Sequence, residues 1–190
     1  MAGSLMARCY SGSMRQRHCL PDVWVISDRR NESRLEAALL SHSRPVALVF
    51  RHYHLGKDAR RKEFDRLARI ARRCGHLVIL AADAPQALRW GAQGHYAPPR
   101  MLRPKRSGLI VIATAHTMRE IADANRSGAD AVMLSPVFPT RSHPGGKTLG
   151  PVRFRLLARY ARVPVIALGG MNRQRSHSLK WEKWAAIDGV

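Results

Sequence analysis

The segment Ser135-Pro136-Val137-Phe138-Pro139-Thr140-Arg141-Ser142-His143-Pro144-Gly145-Gly146 gathers the side chains best suited to chemistry in this 190-residue chain. It follows an apolar run, Ala131 to Leu134, and offers hydroxyls from Ser135, Thr140 and Ser142, a guanidinium from Arg141 and an imidazole from His143. Arg141 and His143 can bind an anionic group, or they can be ordinary solvent-exposed loop residues. A second apolar run, Val163 to Leu168, ends in Gly169-Gly170. Such a pair can present backbone N–H groups to a phosphate, with the following helix start adding a favourable dipole. A tight turn without a ligand is the alternative reading of the same two residues. Buried strands that open into hydrogen-bonding loops are how parallel α/β proteins build ligand sites. The pairing therefore points to a small phosphorylated ligand rather than a scaffold role.

Loops of this kind need strands and helices to hold them, and the chain alternates the two almost to its end. Strands are expected at Val23 to Ser27, Pro45 to Phe50, Leu77 to Ala82, Gly94 to Ala97, Leu109 to Ala113, Ala131 to Leu134, Val163 to Leu168 and Ala185 to Ile187. Ser33-x-x-Glu36 and Thr117-x-x-Glu120 are capping-box patterns that open helices to about Leu40 and Ser127. Glu63 to Cys74 is amphipathic, with Phe64, Leu67, Ala68 and Ala71 on one face and arginines on the other. Asp83 caps a short helix that tolerates Pro85 in its first turn, Gly150-Pro151 opens another, and a last helix spans roughly Gln174 to Trp184. The connector Pro98 to Gly108 has no helical period and is read as a degenerate crossover. Near-continuous apolar strands between amphipathic helices mean a parallel sheet covered on both faces, and eight of them point to a single-domain (β/α)8 TIM barrel. With no helical pattern after the eighth strand, the barrel is expected to lack its final C-terminal helix.

Composition bounds the rest. Hydrophobic residues at 45% and charged residues at 24% fit a soluble globular protein. The longest apolar stretches, such as Leu77 to Ala82, are too short to cross a bilayer, and residues 1–21 hold no apolar signal core. Those residues are read as a flexible basic extension and 22–190 as the barrel. Cys9, Cys19 and Cys74 form no C-x-x-C pair, so reduced thiols in a cytoplasmic protein are expected and a zinc site is not. The net charge of +20 is read first as solvated helix faces, second as attraction of phosphorylated metabolites or nucleic acid. Aromatics at 6% and the lack of any known nucleic-acid motif argue against sequence-specific nucleic-acid binding.

Ala113-Thr114-Ala115-His116-Thr117, Ser127-Gly128-Ala129-Asp130, Ser135-Pro136-Val137-Phe138-Pro139-Thr140 and Pro164-Val165-Ile166-Ala167-Leu168-Gly169-Gly170-Met171 together resemble the thiamine phosphate synthase and TenI superfamily. Their order and spacing match that family's strands five to seven. The resemblance implies a single-domain barrel of thiamine biosynthesis. In the synthase branch a pyrimidine diphosphate and a thiazole phosphate are joined, with magnesium, and pyrophosphate leaves. The TenI branch includes a cofactor-free tautomerase that aromatises the thiazole phosphate.

Position by position, the match is uneven. Where the synthases carry Leu-Arg-x-Lys for pyrophosphate, this chain reads Phe50-Arg51-His52-Tyr53, keeping Arg51 and losing the lysine. Their Asn-Asp metal pair is Ala81-Ala82 here, and their second metal-binding Asp falls near Met101 after Gly94-His95-Tyr96. Their Thr-x-Thr-Lys loop is Thr140-Arg141-Ser142-His143. Magnesium takes oxygen ligands, usually one or two carboxylates plus phosphate oxygens, which alanine and methionine do not supply. Asp83, next to the lost pair, is a substitute or simply a helix N-cap.

The resemblance gives His116 the tautomerase role, because an imidazole near neutral pH can take a proton from one ring atom and return it to another. A polar loop residue ahead of the Thr117 cap is the equal alternative. Substrate contacts fall to Arg51, Ser135, Thr140, Arg141, Ser142, His143, Gly169 and Gly170, with Tyr53 and Tyr96 as pocket walls or, for Tyr96, core. In the family the loop after strand eight completes the phosphate site. Here Asp188 stands there, and its carboxylate would repel phosphate. The favoured expectation is TenI-like chemistry on a thiazole phosphate-type ligand without a cofactor. A genuine synthase, needing Mg2+, is the first alternative, and a non-catalytic phosphometabolite or nucleic-acid binder is the second. A homo-oligomer is left open.

Overall fold

The computed structural model describes residues 20–102, 108–142 and 144–188. Eight parallel strands close into one barrel in sequence order: β1 (Val23–Ile26), β2 (Ala47–Phe50), β3 (Leu77–Leu80), β4 (Gly94–Ala97), β5 (Ile110–Ala115), β6 (Ala131–Leu134), β7 (Val165–Leu168) and β8 (Trp184–Ala186). The strands are nearly all apolar because both faces are covered. Trp24, Ile26, Val49, Ile79, Ile112 and Met133 alternate into the barrel lumen and fill it. Their neighbours Val25, Leu48, Phe50, Val78 and Leu80 point outward against the helices. Among the described residues six helices cover the outside: α1 (Glu32–Ser41), α2 (Lys57–Arg73), α3 (Ala84–Trp90), α4 (Met118–Ser127), α5 (Gly150–Ala158) and α6 (Arg173–Leu179). No helix among the described residues is long and apolar enough to cross a membrane.

The expected strands lie within two residues of those observed, but three helices differ for identifiable reasons. Ser33 does not cap α1. The cap comes earlier, from Asp28, which opens a 3-10 turn at Arg29–Asn31 through a reciprocal bond with Asn31 that runs straight into the helix. A carboxylate directly after β1 meets the free N–H groups before Ser33 can. The second helix begins at Lys57, not Glu63, with Gly56 as its N-cap. Lys57 to Lys62 contains no apolar residue except Ala59, so no stripe marks that first stretch. Beyond it Phe64, Leu67, Ala68 and Ala71 are buried as expected, and sealing Phe64 and Leu67 contributes about 1.5–3 kcal/mol each. The last helix stops at Leu179 rather than Trp184, because Lys180 adopts a left-handed conformation (φ 47°) that closes it. Trp181 then donates its indole N–H to Val165 O (2.9 Å), and Trp184 pairs within β8.

Other local expectations hold. Thr117 and Glu120 form a complete capping box on α4, Gly128 ends it in the left-handed region, and Asp83 caps α3 by accepting from Gln86 N (2.8 Å). The connector contains a 3-10 turn at Pro99–Met101. Residues 103–107, most of the N-terminal extension with Cys9 and Cys19, and His143 lie outside the described residues, while Cys74 carries a free thiol. Part of the positive charge is paired on the helix surface: Arg66 with Glu36 and Glu63, Arg61 with Asp65 and Arg126 with Asp123.

Candidate functional site

The carboxyl ends of the strands surround a cavity of about 700 Å3. The closing order of the barrel brings loops distant in sequence to its rim. His116 follows β5, Ser135 and Thr140 follow β6, and Gly169 with Gly170 follows β7; all five line this one cavity. Arg51 enters from β2, and Arg141 and Ser142 from the β6 loop.

His116 is held from two sides. Its backbone N–H donates to Glu120 Oε2 (2.7 Å), so the same carboxylate that completes the α4 cap also fixes the residue before it. Its ring Nδ1 lies 2.8 Å from the backbone O of Ser135 and 3.2 Å from Ser135 Oγ. A carbonyl oxygen only accepts, so Nδ1 carries a hydrogen, and in the neutral ring Nε2 is the atom left with a free lone pair. The ring is therefore oriented as a base at Nε2.

Gly169 and Gly170 have φ values of +94° and +60°. A Cβ on Gly169 would sit 2.6 Å from Pro136 Cα, and one on Gly170 would sit 2.4 Å from Pro139 O. The two loops are laced together by Val137 N to Leu168 O (2.9 Å) and Phe138 N to Gly169 O (3.0 Å). Close approach of the β6 loop thus requires both glycines, whatever they bind. The helix beyond has only seven residues, and the Asn172 side chain already accepts from Arg175 N (2.8 Å), so α6 offers an anion less than the sequence suggested. Arg175 itself lies over the Phe138 ring (5.1 Å) and donates to Gly170 O.

Several lining residues had not been singled out. Arg30, just after β1, donates to Asp28 Oδ1 (2.9 Å) and Ser142 Oγ (2.8 Å), and its guanidinium lies 3.7 Å from Asp188. It joins the ends of β1, β6 and β8, and it offsets the Asp188 charge that the sequence set against phosphate. Arg175, Asn172 and Thr114 also line the cavity. Arg30 lies in the 3-10 turn beyond β1, not at the strand end itself, so no sequence signal marked it.

On the β2 side, Arg51 N donates to Ser27 Oγ (2.7 Å), while its guanidinium lies 3.8 Å from Asp28 and 5.6 Å from the Tyr53 ring centre. Burial raises and the Arg30 and Arg51 guanidiniums lower the Asp28 pKa, and the net is a carboxyl below its ordinary range. Tyr53 and Tyr96 both wall the cavity, and Tyr96 also packs on the luminal core, where burial pushes its phenol up to about 12. Arg60, from α2, donates to Arg51 O (2.8 Å) and Ala81 O (3.0 Å), latching the ends of β2 and β3. Its guanidinium lies 5.3 Å from the ring centres of both Tyr53 and Trp90.

The family described as thiamine monophosphate synthase (TMP-TENI) matches residues 23–189. A thiamine-phosphate synthase of Geobacillus kaustophilus is 30% identical over 198 aligned positions, covering 97% of this chain and 87% of the relative. That of Pyrococcus furiosus is 26% identical over 168 positions, covering 83% and 79%. A solved thiamine phosphate pyrophosphorylase from Pyrococcus furiosus superposes with a TM-score of 0.72 at 21% identity, over 90% of this chain and 87% of that one. FabK from Thermotoga maritima also superposes, with a TM-score of 0.67 at 18% identity over 87% of this chain and 57% of that one. Likeness of fold alone therefore does not select a reaction.

Proposed function

The chain belongs to the thiamine monophosphate synthase family, and from that membership we propose that it binds a thiazole phosphate-type ligand at the barrel mouth and tautomerises it. The observation that carries this reading is the His116 ring, fixed through Nδ1 on Ser135 O with Nε2 as the basic atom. Nε2 takes a proton from one ring atom of the thiazole and returns it to another, so nothing is oxidised and no group leaves. Ser135 holds the imidazole in that orientation, and Glu120 fixes the His116 backbone beneath it. Thr140, Ser142 and the guanidiniums of Arg141 and Arg30 supply hydrogen bonds and positive charge for the phosphate. Gly169 and Gly170 let the β6 and β7 loops close on the ligand.

Magnesium, which the synthase branch implies, does not fit the donor set. Ala81 and Ala82 stand at the end of β3, and Ala81 O already accepts from the Arg60 guanidinium (3.0 Å). The carboxylates nearby, Asp28 and Asp188, lie against arginines: Arg30 at 2.9 and 3.7 Å, and for Asp28 also Arg51 at 3.8 Å. A hard divalent cation needs free carboxylate oxygen, and an arginine cluster repels it.

A second reading, synthase chemistry, draws on the retained Arg51 beside Arg30 as cations for pyrophosphate and on the names of the relatives. One experiment separates the two. The protein is incubated with the thiazole tautomer phosphate, and separately with pyrimidine diphosphate plus thiazole phosphate, each with and without added Mg2+. Aromatisation that does not depend on Mg2+ is expected. Mg2+-dependent thiamine phosphate formation without tautomerisation would replace the assignment with a synthase. Turnover in neither arm would remove both.

A further inference from the structure

The loop between β2 and α2 holds a residue that the mouth does not use. His52 is 1% exposed and sits at φ 33°, a conformation rare for a residue with a side chain. Neither of its ring nitrogens, both buried, has a hydrogen-bond partner. Leaving a buried polar group unpaired costs stability, so such a ring calls for an explanation. His54 faces it, with ring centres 5.2 Å apart. His54 Nε2 in turn lies 3.4 Å from Glu32 Oε2 at the start of α1. One donor atom from each of Glu32, His52 and His54 lies within 4.8 Å of the other two.

We propose that His52, His54 and Glu32 bind a divalent transition-metal ion of the zinc class that clamps the β2–α2 loop to the start of α1. Bonds of about 2.0–2.1 Å in a tetrahedral site set neighbouring donors about 3.3 Å apart, close to the His54–Glu32 separation. The remaining gap closes by rotation of Glu32 and His54, whose side chains are 42% and 27% exposed, onto the fixed His52. Two imidazoles and one carboxylate suit Zn2+, Co2+ or Ni2+ and not Mg2+ or Ca2+, which prefer all-oxygen sets. A water completes the coordination. Among the carboxylates that act on His52, Glu32 acts most strongly, while Asp28 is paired with Arg30 and Arg51 and Glu63 with Arg66. No cysteine takes part, so the cysteine spacing that argued against zinc does not bear on this site.

The clamp is structural. The His52 ring packs on Phe50 (4.9 Å) in the layer between barrel and helices, whereas its chain neighbours Arg51 and Tyr53 line the cavity. Metal binding would thus brace the β2 side of the mouth from behind, independently of what His116 does.

The test uses untagged, metal-stripped protein titrated with Zn2+ and Co2+, followed by calorimetry, by Co2+ visible absorption and by thermal unfolding. One equivalent of Zn2+ or Co2+ is expected to bind and to raise Tm, with Co2+ giving the absorption of nitrogen and oxygen ligation, whereas Mg2+ neither binds nor raises Tm. His54→Ala and Glu32→Gln, both at accessible side chains, should weaken Zn2+ binding at least about tenfold and abolish the Tm rise while the apo-protein Tm stays near wild type. His52→Asn is the more severe variant, and the conclusion does not depend on its folding. The proposal is overturned if no stoichiometric binding occurs, or if binding survives both His54→Ala and Glu32→Gln unchanged.

Discussion

Replacing His116 by asparagine separates the two things its ring does. The Nδ1–H bond to Ser135 O (2.8 Å) holds the ring, and Nε2 is the proposed base. An asparagine amide nitrogen sits near the Nδ1 position and can donate the same bond, but it offers no base where Nε2 was. A neutral hydrogen bond contributes about 0.5–1.5 kcal/mol net, and here the bond is kept. Stability should therefore change by less than about 1 kcal/mol, a Tm shift of at most about 2–4 °C. Removing a general base costs roughly 10²–10⁴ in rate, or about 3–5 kcal/mol of barrier. The assay is aromatisation of the thiazole tautomer phosphate at saturating substrate, with Tm measured on the same samples. kcat should collapse while KM stays near its wild-type value, because the phosphate contacts are untouched. A folded His116→Asn protein with near-wild-type kcat would refute the assignment of Nε2.

Three further outcomes test the architecture. Gly169→Ala puts a Cβ 2.6 Å from Pro136 Cα at a φ of +94°; left-handed strain and overpacking together cost about 2–5 kcal/mol, so Tm should drop by roughly 5–15 °C in differential scanning fluorimetry, and an unshifted Tm would show that the loops relax freely. Arg60→Ala deletes the latch on Arg51 O and Ala81 O; for a half-buried guanidinium this amounts to about 1–3 kcal/mol in urea unfolding, and no loss would mean that β2 and β3 hold their ends without it. Burial holds the His95 imidazole below the ordinary histidine value of 6.5, and His52 shifts the same way, so the unfolded chain takes up protons that the folded one refuses. Stability is then fully present above pH 6.5 and falls as pH drops toward the folded pKa, and His95→Gln should flatten that slope in denaturant titrations from pH 7.5 to 5.

Alternating apolar runs were enough to read the barrel, because eight buried parallel strands leave a pattern that helix faces cannot mimic. Thr117 and Glu120 were readable as a cap for the same local reason: both partners lie within one turn. Asp28 was missed because its partner, Asn31, belongs to a 3-10 turn that carries no apolar stripe. The mouth was legible only where a loop follows its strand directly, as at His116, Thr140 and Gly169. Arg30 and Asn172 escaped notice because their roles depend on distances across the barrel. Arg30 meets Ser142, 112 residues away in sequence, and nothing in the spacing of either announces that contact.

The seam between β1 and β8 has a kinetic consequence. Val23 pairs with Trp184, the indole-bearing residue is anchored again by Trp184 N to Asp22 O (2.8 Å), and Asn31 Nδ2 bridges Ile26 O (2.9 Å) and Ile187 O (2.7 Å). Pairings this far apart in sequence carry the largest loop-closure entropy, so this seam is expected to close after the neighbouring parallel pairs joined by single crossovers. With that seam open the sheet is an eight-stranded arc whose first and last strands stand apart, and its Arg30 has no Asp188 to meet. A phosphorylated ligand of the kind proposed above should then act on the refolding chain as a late-stage latch, slowing reopening of the ring rather than hastening its assembly.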